Sequence, residues 1–212
     1  MIPIKGKTAL LVIDMQNDFC EGGSFPVKGA VSIVPIINSL KASPKIDCTI
    51  FSLDWHPPKH CSFVTAHPGH KLMDAVTIPE TKETQVLWPE HCVAGTKGSA
   101  FYPTLKVDEN DLTVKKGTII YNDSYSAFGN AIEDTNLRQL LHLLGVGTVF
   151  IVGVAYDYCV RRTAEDARKL GLLTYVVEDA SKPVAAASKE SADKSLELLG
   201  IQRIKSSQIL SK

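Results

Sequence analysis

The sequence has no excess charge of either sign, because 23 Lys and Arg residues balance 23 Asp and Glu residues. It also has no basic run that would attract nucleic acid or an anionic lipid surface. The longest apolar stretches, such as residues 9–13 and 149–155, are far too short to span a bilayer. We therefore expect neither nucleic acid nor a membrane as a partner, and a small molecule is the favoured ligand.

Cysteine is also sparse. The chain has five cysteines, an odd number, and no Cys-x-x-Cys pair, which argues against a disulfide framework and a zinc ribbon. The first apolar run is interrupted by Asp14, so no signal peptide is predicted. We expect a cytoplasmic or otherwise intracellular soluble protein. A homo-oligomer is compatible with the sequence, which has no diagnostic interface.

Short apolar runs alternate with segments of helical periodicity along most of the chain. Strands are predicted at residues 8–13, 48–53, 111–115, 148–154, 173–177 and 201–204, and helices at residues 31–40, 136–144, 158–170 and 187–199. This alternation is typical of a doubly wound, mostly parallel six-stranded α/β sheet with helices on both faces. We expect one domain over residues 1–212.

Residues 57–110 break the alternation. They are rich in Pro, His, Gly and Thr and have little periodicity, which predicts a loop-rich insertion with a functional role. Ligands of doubly wound sheets bind at the carboxyl ends of the strands, where the strand order reverses. Reactive side chains directly after predicted strands are therefore candidates for a site: Asp14, Asp54, His56 and Cys159.

Cys159 lies in the first turn of a predicted helix, where the helix dipole favours a thiolate and unpaired N–H groups can hold an oxyanion. Asp14 is a candidate general base if its strand lies beside that of Cys159. Alone, Cys159 would more often be a buried apolar residue and Asp14 a turn former. Lys115 or Lys116 would pair with Asp14 if it pointed inward, and the residues alone do not choose between them.

Asp54 and His56 are two residues apart at a strand end, so their side chains face the same way. A carboxylate and imidazoles suit zinc or another first-row divalent ion. The candidates for a third ligand are His60, His67, His70 and His91. Aromatic residues in the same loops either pack the loops or form a slot for an aromatic ring: Phe19, Trp55, Trp88, Tyr125, Phe128 and Tyr158.

Six sequence blocks carry a resemblance over nearly the whole chain. They are VIDMQNDF (12–19), DWHPPKH (54–60), WPEHCV (88–93), KKG (115–117), YSAF (125–128) and VGVAYDYCV (152–160). Each block is weak alone, but their order and combination resemble the pyrazinamidase/nicotinamidase group of the isochorismatase-like cysteine hydrolase family.

The resemblance implies a catalytic triad of Asp14, Lys116 and Cys159, with Lys116 chosen because the family lysine directly precedes the glycine. It implies a cis peptide bond at Val154–Ala155 and an oxyanion hole formed by the N–H groups of Ala155 and Cys159.

The resemblance also implies one divalent metal ion held by Asp54, His56 and His91, with waters in the other positions. Zinc is the expected ion, with Fe²⁺ or Mn²⁺ as alternatives. Ser62 is the nearest candidate for a further ligand, and that ligand stays open. Substrate-binding aromatic residues are implied as well: Phe19, Trp88, Tyr125 and Tyr158.

The implied activity is hydrolysis of nicotinamide to nicotinate and ammonia through a thioester, in salvage of nicotinamide toward NAD. The alternative is a related cysteine hydrolase acting on another small carboxamide or a carbamoyl group. Cys159 argues against an isochorismatase-type hydrolase, which lacks this nucleophile. The absence of a Gly-x-Gly-x-x-Gly motif after the first strand argues against a nucleotide-binding module. The filled catalytic and metal positions argue against an inactive homologue.

Overall fold

A computed structural model describes residues 2–211. Over these residues the strands are, in chain order, β1 (Lys7–Ile13), β2 (Cys48–Asp54), β3 (Ala75–Thr77), β4 (Thr84–Val86), β5 (Leu112–Lys116), β6 (Val146–Val154), β7 (Leu173–Lys182) and β8 (Gln202–Ile204). The α-helices are α1 (Ala30–Lys41), α2 (Leu137–Leu143), α3 (Arg161–Lys169), α4 (Ala186–Leu198) and α5 (Ser207–Leu210). The outer limits of the expected domain, residues 1 and 212, lie outside the described residues.

Six of these strands form one sheet in the order β5-β2-β1-β6-β7-β8, and all neighbouring pairs are parallel. The chain builds outward from β1 through β2 and β5, and then returns to the other side of β1 with β6, β7 and β8. The strand order therefore reverses between β1 and β6, which is where a sheet of this class binds its ligand.

Both faces of the sheet are buried. Successive side chains of a strand point to opposite faces, and each face packs in its own core. Leu10 and Val12 of β1 belong to the core shared with α1, whereas Leu11 and Ile13 belong to the core shared with α2, α3 and α4. Burial of each such side chain contributes roughly 1.5–3 kcal/mol. The predicted doubly wound six-stranded sheet with helices on both faces is confirmed.

Three local features differ from the prediction. β7 continues to Lys182, because a register shift after Ile151 of β6 lets Ser181 and Lys182 pair with the end of that strand. The region 57–110, predicted to be irregular, contains the antiparallel pair β3–β4. The short helix α5 was not predicted.

No helix in the described part of the chain combines the length and the apolar character that crossing a bilayer requires.

Candidate active site

The carboxyl ends of four strands bring four reactive side chains to one place. Asp14 follows β1, Cys159 follows β6, Asp54 ends β2 and Lys116 ends β5. Asp54 and Lys116 are register partners, and Ile13, just before Asp14, pairs with Gly153 of β6. All four side chains are buried, so their mutual charges act with little screening by water.

Lys116 lies at the centre of this group and is completely buried. Its Nζ is 2.9 Å from Asp14 Oδ2 and 3.4 Å from Cys159 Sγ, and it also donates a hydrogen bond to Asp54 Oδ1. Burial alone lowers the pKa of Lys116, but the carboxylates of Asp14 and Asp54 outweigh it and hold the pKa well above its ordinary value. Lys116 is therefore a fixed ammonium.

Lys115 points to the opposite face of β5, since side chains alternate along a strand. It is exposed, and its Nζ lies 3.7 Å from the centroid of the Trp55 ring. The structure thus resolves the choice between the two lysines, because only Lys116 reaches Asp14 and Cys159.

Asp14 is fully buried and has its two carboxylate oxygens in different surroundings. Oδ1 accepts a hydrogen bond of 2.6 Å from Ser52 Oγ, whereas Oδ2 receives no well-aligned hydrogen bond from residues 2–211. Burial raises the pKa of Asp14, against the lowering effect of Lys116. One carboxylate oxygen and Cys159 Sγ lie within 4.8 Å of each other, so Asp14 is placed to accept the thiol proton.

Cys159 lies in a π-helical turn, Tyr156–Val160, and not in the first turn of an α-helix as predicted. The turn is wide because the carbonyl of Ala155 accepts hydrogen bonds from the N–H groups of both Tyr158 and Val160, at 3.0 and 3.1 Å. Single π-helical turns are frequent at functional sites.

The thiol of Cys159 is less acidic than the helix-dipole argument alone suggests. Burial raises the pKa of Cys159 well above its ordinary value, and the ammonium of Lys116 opposes this only in part. The thiol therefore needs a neighbouring base to become a nucleophile. The Val154–Ala155 peptide bond is cis, as the resemblance implied, and Ala155 and Cys159 line the same cavity.

Asp54, His56 and His91 present ligand atoms to one point. His56 Nε2 and His91 Nε2 lie 3.6 and 3.8 Å from Asp54 Oδ2, and the three ligand atoms all lie within 4.8 Å of one another. The other ring nitrogen of each histidine is bonded to a carbonyl: His56 Nδ1 donates to Gly117 at 2.9 Å and His91 Nδ1 to Pro89 at 2.7 Å.

This arrangement fits a divalent metal ion. A carbonyl accepts only, so each Nδ1 carries a proton, which leaves Nε2 as the atom that each ring can offer to a metal. Burial and the neighbouring His56 lower the pKa of His91 to about 4, so His91 is neutral at physiological pH, the form that binds metal. Burial alone raises the pKa of Asp54, but Lys116 and His56 outweigh it and keep Asp54 ionised.

The other candidate histidines are occupied elsewhere. His60 stacks on His56 with ring centroids 4.1 Å apart and is bonded through both ring nitrogens, to Ser62 Oγ at 2.8 Å and to the Asn122 carbonyl at 3.2 Å. His67 Nε2 bonds the carbonyl of Cys61 at 2.8 Å, and His70 is largely exposed. A group of His56, His60 and Asp123 is also compact, but it shares His56 with the first.

A cavity at the switch point adjoins the reactive side chains. It is partly open to solvent. The four aromatic residues implied by the resemblance all line this cavity: Phe19, Trp88, Tyr125 and Tyr158. Trp88 Nε1 donates a hydrogen bond of 2.9 Å to the hydroxyl of Tyr125, and the rings of Trp88 and Tyr158 meet edge to face at 5.1 Å. The cavity can therefore hold a small flat ring beside Cys159.

Sequence reasoning missed several residues of the site. Four of them line the cavity: Phe25, Val27, Asp123 and Val184. Phe25 stacks on Trp88 at 5.3 Å, and its signal was an aromatic residue in a glycine-rich turn soon after β1. Trp55 lies under Lys115, and Phe128 lines a different groove, so neither belongs to the cavity.

The family model of the isochorismatase domain matches residues 8–204, and this chain therefore belongs to the isochorismatase family. It is 42% identical over 205 residues to the nicotinamidase of Acinetobacter baylyi, with 95% of this chain and 94% of that protein covered. The structure is similar to that of Acinetobacter baumanii nicotinamidase/pyrazinamidase, with a TM-score of 0.90, 39% identity and coverage of 96% and 98%. It is also similar to Pyrococcus horikoshii pyrazinamidase in complex with zinc, with a TM-score of 0.79, 32% identity and coverage of 94% and 99%. The family resemblance of the sequence blocks is confirmed.

Proposed function

We propose that this protein is a metal-dependent cysteine amidohydrolase that converts nicotinamide to nicotinate and ammonia in salvage toward NAD. The observation that carries the proposal is that two groups of side chains meet at one aromatic cavity. Cys159, which lies beside Asp14 and Lys116, lines one part of the cavity, and Asp54, His56 and His91 line another. The likeness to nicotinamidases supports the choice of substrate.

The first half of the reaction forms a thioester. Asp14 takes the proton of the Cys159 thiol, and the nearby Lys116 ammonium stabilises the thiolate that results. The thiolate attacks the carboxamide carbon, and the N–H groups of Ala155 and Cys159 hold the oxyanion, a contribution of roughly 3–4 kcal/mol per donor in comparable sites. The tetrahedral intermediate then expels ammonia, which leaves with the proton that Asp14 returns.

The second half releases the acid. A water molecule gives a proton to Asp14 and attacks the thioester carbon, and the same N–H groups hold the second oxyanion. Collapse of this intermediate breaks the C–S bond and frees nicotinic acid, which ionises to nicotinate, while Asp14 returns its proton to the Cys159 thiolate. Burial raises the pKa of Asp14, which suits a group that accepts and returns a proton in each half.

Asp54, His56 and His91 would hold the metal ion, and zinc is the ion we propose, since the similar Pyrococcus horikoshii pyrazinamidase was solved with zinc. When bound, such an ion supplies a Lewis acid that can orient a ring nitrogen and activate water. The side chains of Phe19, Trp88, Tyr125 and Tyr158 hold the ring flat, which positions the amide carbon for attack by Cys159.

The proposal is tested by measuring ammonia release from nicotinamide by the purified protein and by two cysteine variants. We expect Cys159→Ala to abolish turnover while keeping the fold. The matched control is Cys48→Ala, because Cys48 lies at the start of β2, away from the cavity, and it should retain activity. Ammonia release by Cys159→Ala at the rate of the parent would disprove the mechanism.

Inactivity of the folded, zinc-loaded parent on nicotinamide would instead disprove the substrate. Pyrazinamide and small carbamoyl compounds would then be the substrates to test, because the triad and the cavity suit any small planar amide.

A further inference from the structure

Glu133 is a buried carboxylate that the proposed mechanism does not use. Its side chain accepts three hydrogen bonds, all from one short turn. Oε2 accepts from the Gly117 N–H at 2.7 Å, and Oε1 accepts from the N–H and the hydroxyl of Thr118 at 2.7 and 2.6 Å. Among residues 2–211 no Lys, Arg or His forms an ion pair with Glu133. Within the described residues, hydrogen bonds from the turn, and no cation, therefore stabilise this carboxylate.

The turn that Glu133 holds lies directly against the candidate metal ligand His56. The carbonyl of Gly117 accepts the hydrogen bond of His56 Nδ1 at 2.9 Å. Gly117 has a φ of +63°, and a Cβ at this position would collide with the His56 ring. The Gly117 peptide thus lies directly against the imidazole. A small shift of this peptide would move the His56 ring or break its hydrogen bond to the carbonyl.

The same turn is anchored on its other side. The carbonyl of Lys116 accepts a hydrogen bond of 2.9 Å from the N–H of Trp55, so β2 fixes the chain just before Gly117. Glu133 fixes the chain just after it. Without Glu133, the chain around the Gly117 carbonyl would be held from one side only. The position of this carbonyl matters because it determines which nitrogen of His56 carries the proton.

We infer that Glu133 is a positioning residue for the metal centre: it holds the Gly117 carbonyl that orients His56 and directs Nε2 toward Asp54. The inference rests on the proposed function, because His56 is a metal ligand only in that proposal. Outer-shell partners of metal-binding histidines typically change metal affinity by 10–100-fold when they are removed. Glu133 does not bond His56 itself, and acts on it through the Gly117 carbonyl.

The test is the affinity of the purified, metal-free protein for Zn²⁺, measured by competition with a chromophoric chelator. In Glu133→Gln the side chain keeps its size, but one acceptor becomes an NH₂ group that faces a backbone N–H. We expect roughly 10-fold weaker zinc binding. The matched control is Glu109→Gln, the same change on an exposed glutamate, which should bind zinc as the parent does.

A second, milder variant keeps the test informative if Glu133→Gln does not fold. Thr118→Ala removes one of the three hydrogen bonds and leaves the carboxylate in place, so we expect roughly 5-fold weaker zinc binding. Circular dichroism shows whether each variant is folded. A folded Glu133→Gln variant that binds zinc as tightly as the parent would overturn the inference and leave the proposed function intact.

The other outcomes separate the two proposals. Failure of the parent itself to bind one equivalent of zinc would overturn both the inference and the proposed metal. Weaker zinc binding by Glu133→Gln in a protein that is inactive on nicotinamide would support the inference and contradict only the substrate.

Discussion

Asp54 and Lys116 form a buried ion pair between register partners on β2 and β5. Asp54 uses Oδ1 for this pair, whereas its Oδ2 faces the Nε2 atoms of His56 and His91 at 3.6 and 3.8 Å. One carboxylate therefore faces both Lys116 and the two histidines, so it belongs to the proposed triad side and to the proposed metal side of the site at once.

This double role predicts that Asp54→Asn damages both sides. Loss of the negative ligand should weaken zinc binding at least about 10-fold, and loss of a charged hydrogen bond to Lys116 should lower the free energy of unfolding by roughly 1.5–3 kcal/mol. Chelator competition and urea unfolding measure the two effects. Asp74→Asn, at a half-buried carboxylate that does not line the cavity, is the control. An Asp54→Asn variant with normal zinc affinity would remove Asp54 from the metal site.

The two adjacent lysines give a matched comparison. Lys116→Met leaves two buried carboxylates without their cation, so we expect loss of activity and destabilisation by roughly 3–5 kcal/mol. Lys115→Met removes only a cation–π contact at the surface, which is worth roughly 0.5–1 kcal/mol, and activity should persist. Ammonia release and unfolding midpoints test both. Equal effects of the two substitutions would contradict the assignment of Lys116.

The third metal ligand is tested by two histidine variants. His91→Ala should lower zinc content strongly, because it removes one of the three ligand atoms that lie within 4.8 Å of one another. His67→Ala should leave zinc bound, because His67 bonds the carbonyl of Cys61 instead. Zinc per chain after dialysis is the measurement. Greater zinc loss from His67→Ala would mean that His91 is not the third ligand.

The pH dependence of the reaction follows from Asp14. Burial raises the pKa of Asp14, and only the ionised carboxylate can take the proton of Cys159. We therefore expect kcat/KM to be full at pH values above this raised pKa and to fall as the pH decreases through it, at a pH above the ordinary carboxyl value of about 4. Rates are to be measured with excess zinc, since protonation also releases metal. A flat profile down to about pH 4 would contradict Asp14 as the base.

The sequence was sufficient to predict the sheet, because its central strands β1, β2, β6 and β7 are largely apolar and mostly buried on both faces. The strand ends then located Asp14, Asp54 and Cys159 without further information. The two lysines could not be separated from the residues alone, because only the alternation of β5 decides which of them points inward. The position of His91 required the resemblance, since its loop has no periodicity.

Other features depend on distant contacts. The pKa of Cys159 is raised because the folded chain buries its thiol near the carboxylates of Asp14 and Asp54, and the local helix signal does not contain this burial. No sequence motif surrounds Glu133, and its proposed role depends on the turn that follows β5. Phe25 lines the cavity only because the loop after β1 folds back over Trp88.

The parallel pairing of β1 with β6 has a kinetic consequence. β1 (Lys7–Ile13) can find β6 (Val146–Val154) only after most of the chain has been synthesised, and contacts between such distant segments form slowly in folding. Asp14 and Cys159 meet at the ends of these two strands. A nascent or truncated chain that ends before β6 lacks Cys159 and has no partner for one edge of β1. Recovery of ammonia release during refolding therefore reports the pairing of β5, β2, β1 and β6, whereas recovery of helical circular dichroism reports only the helices.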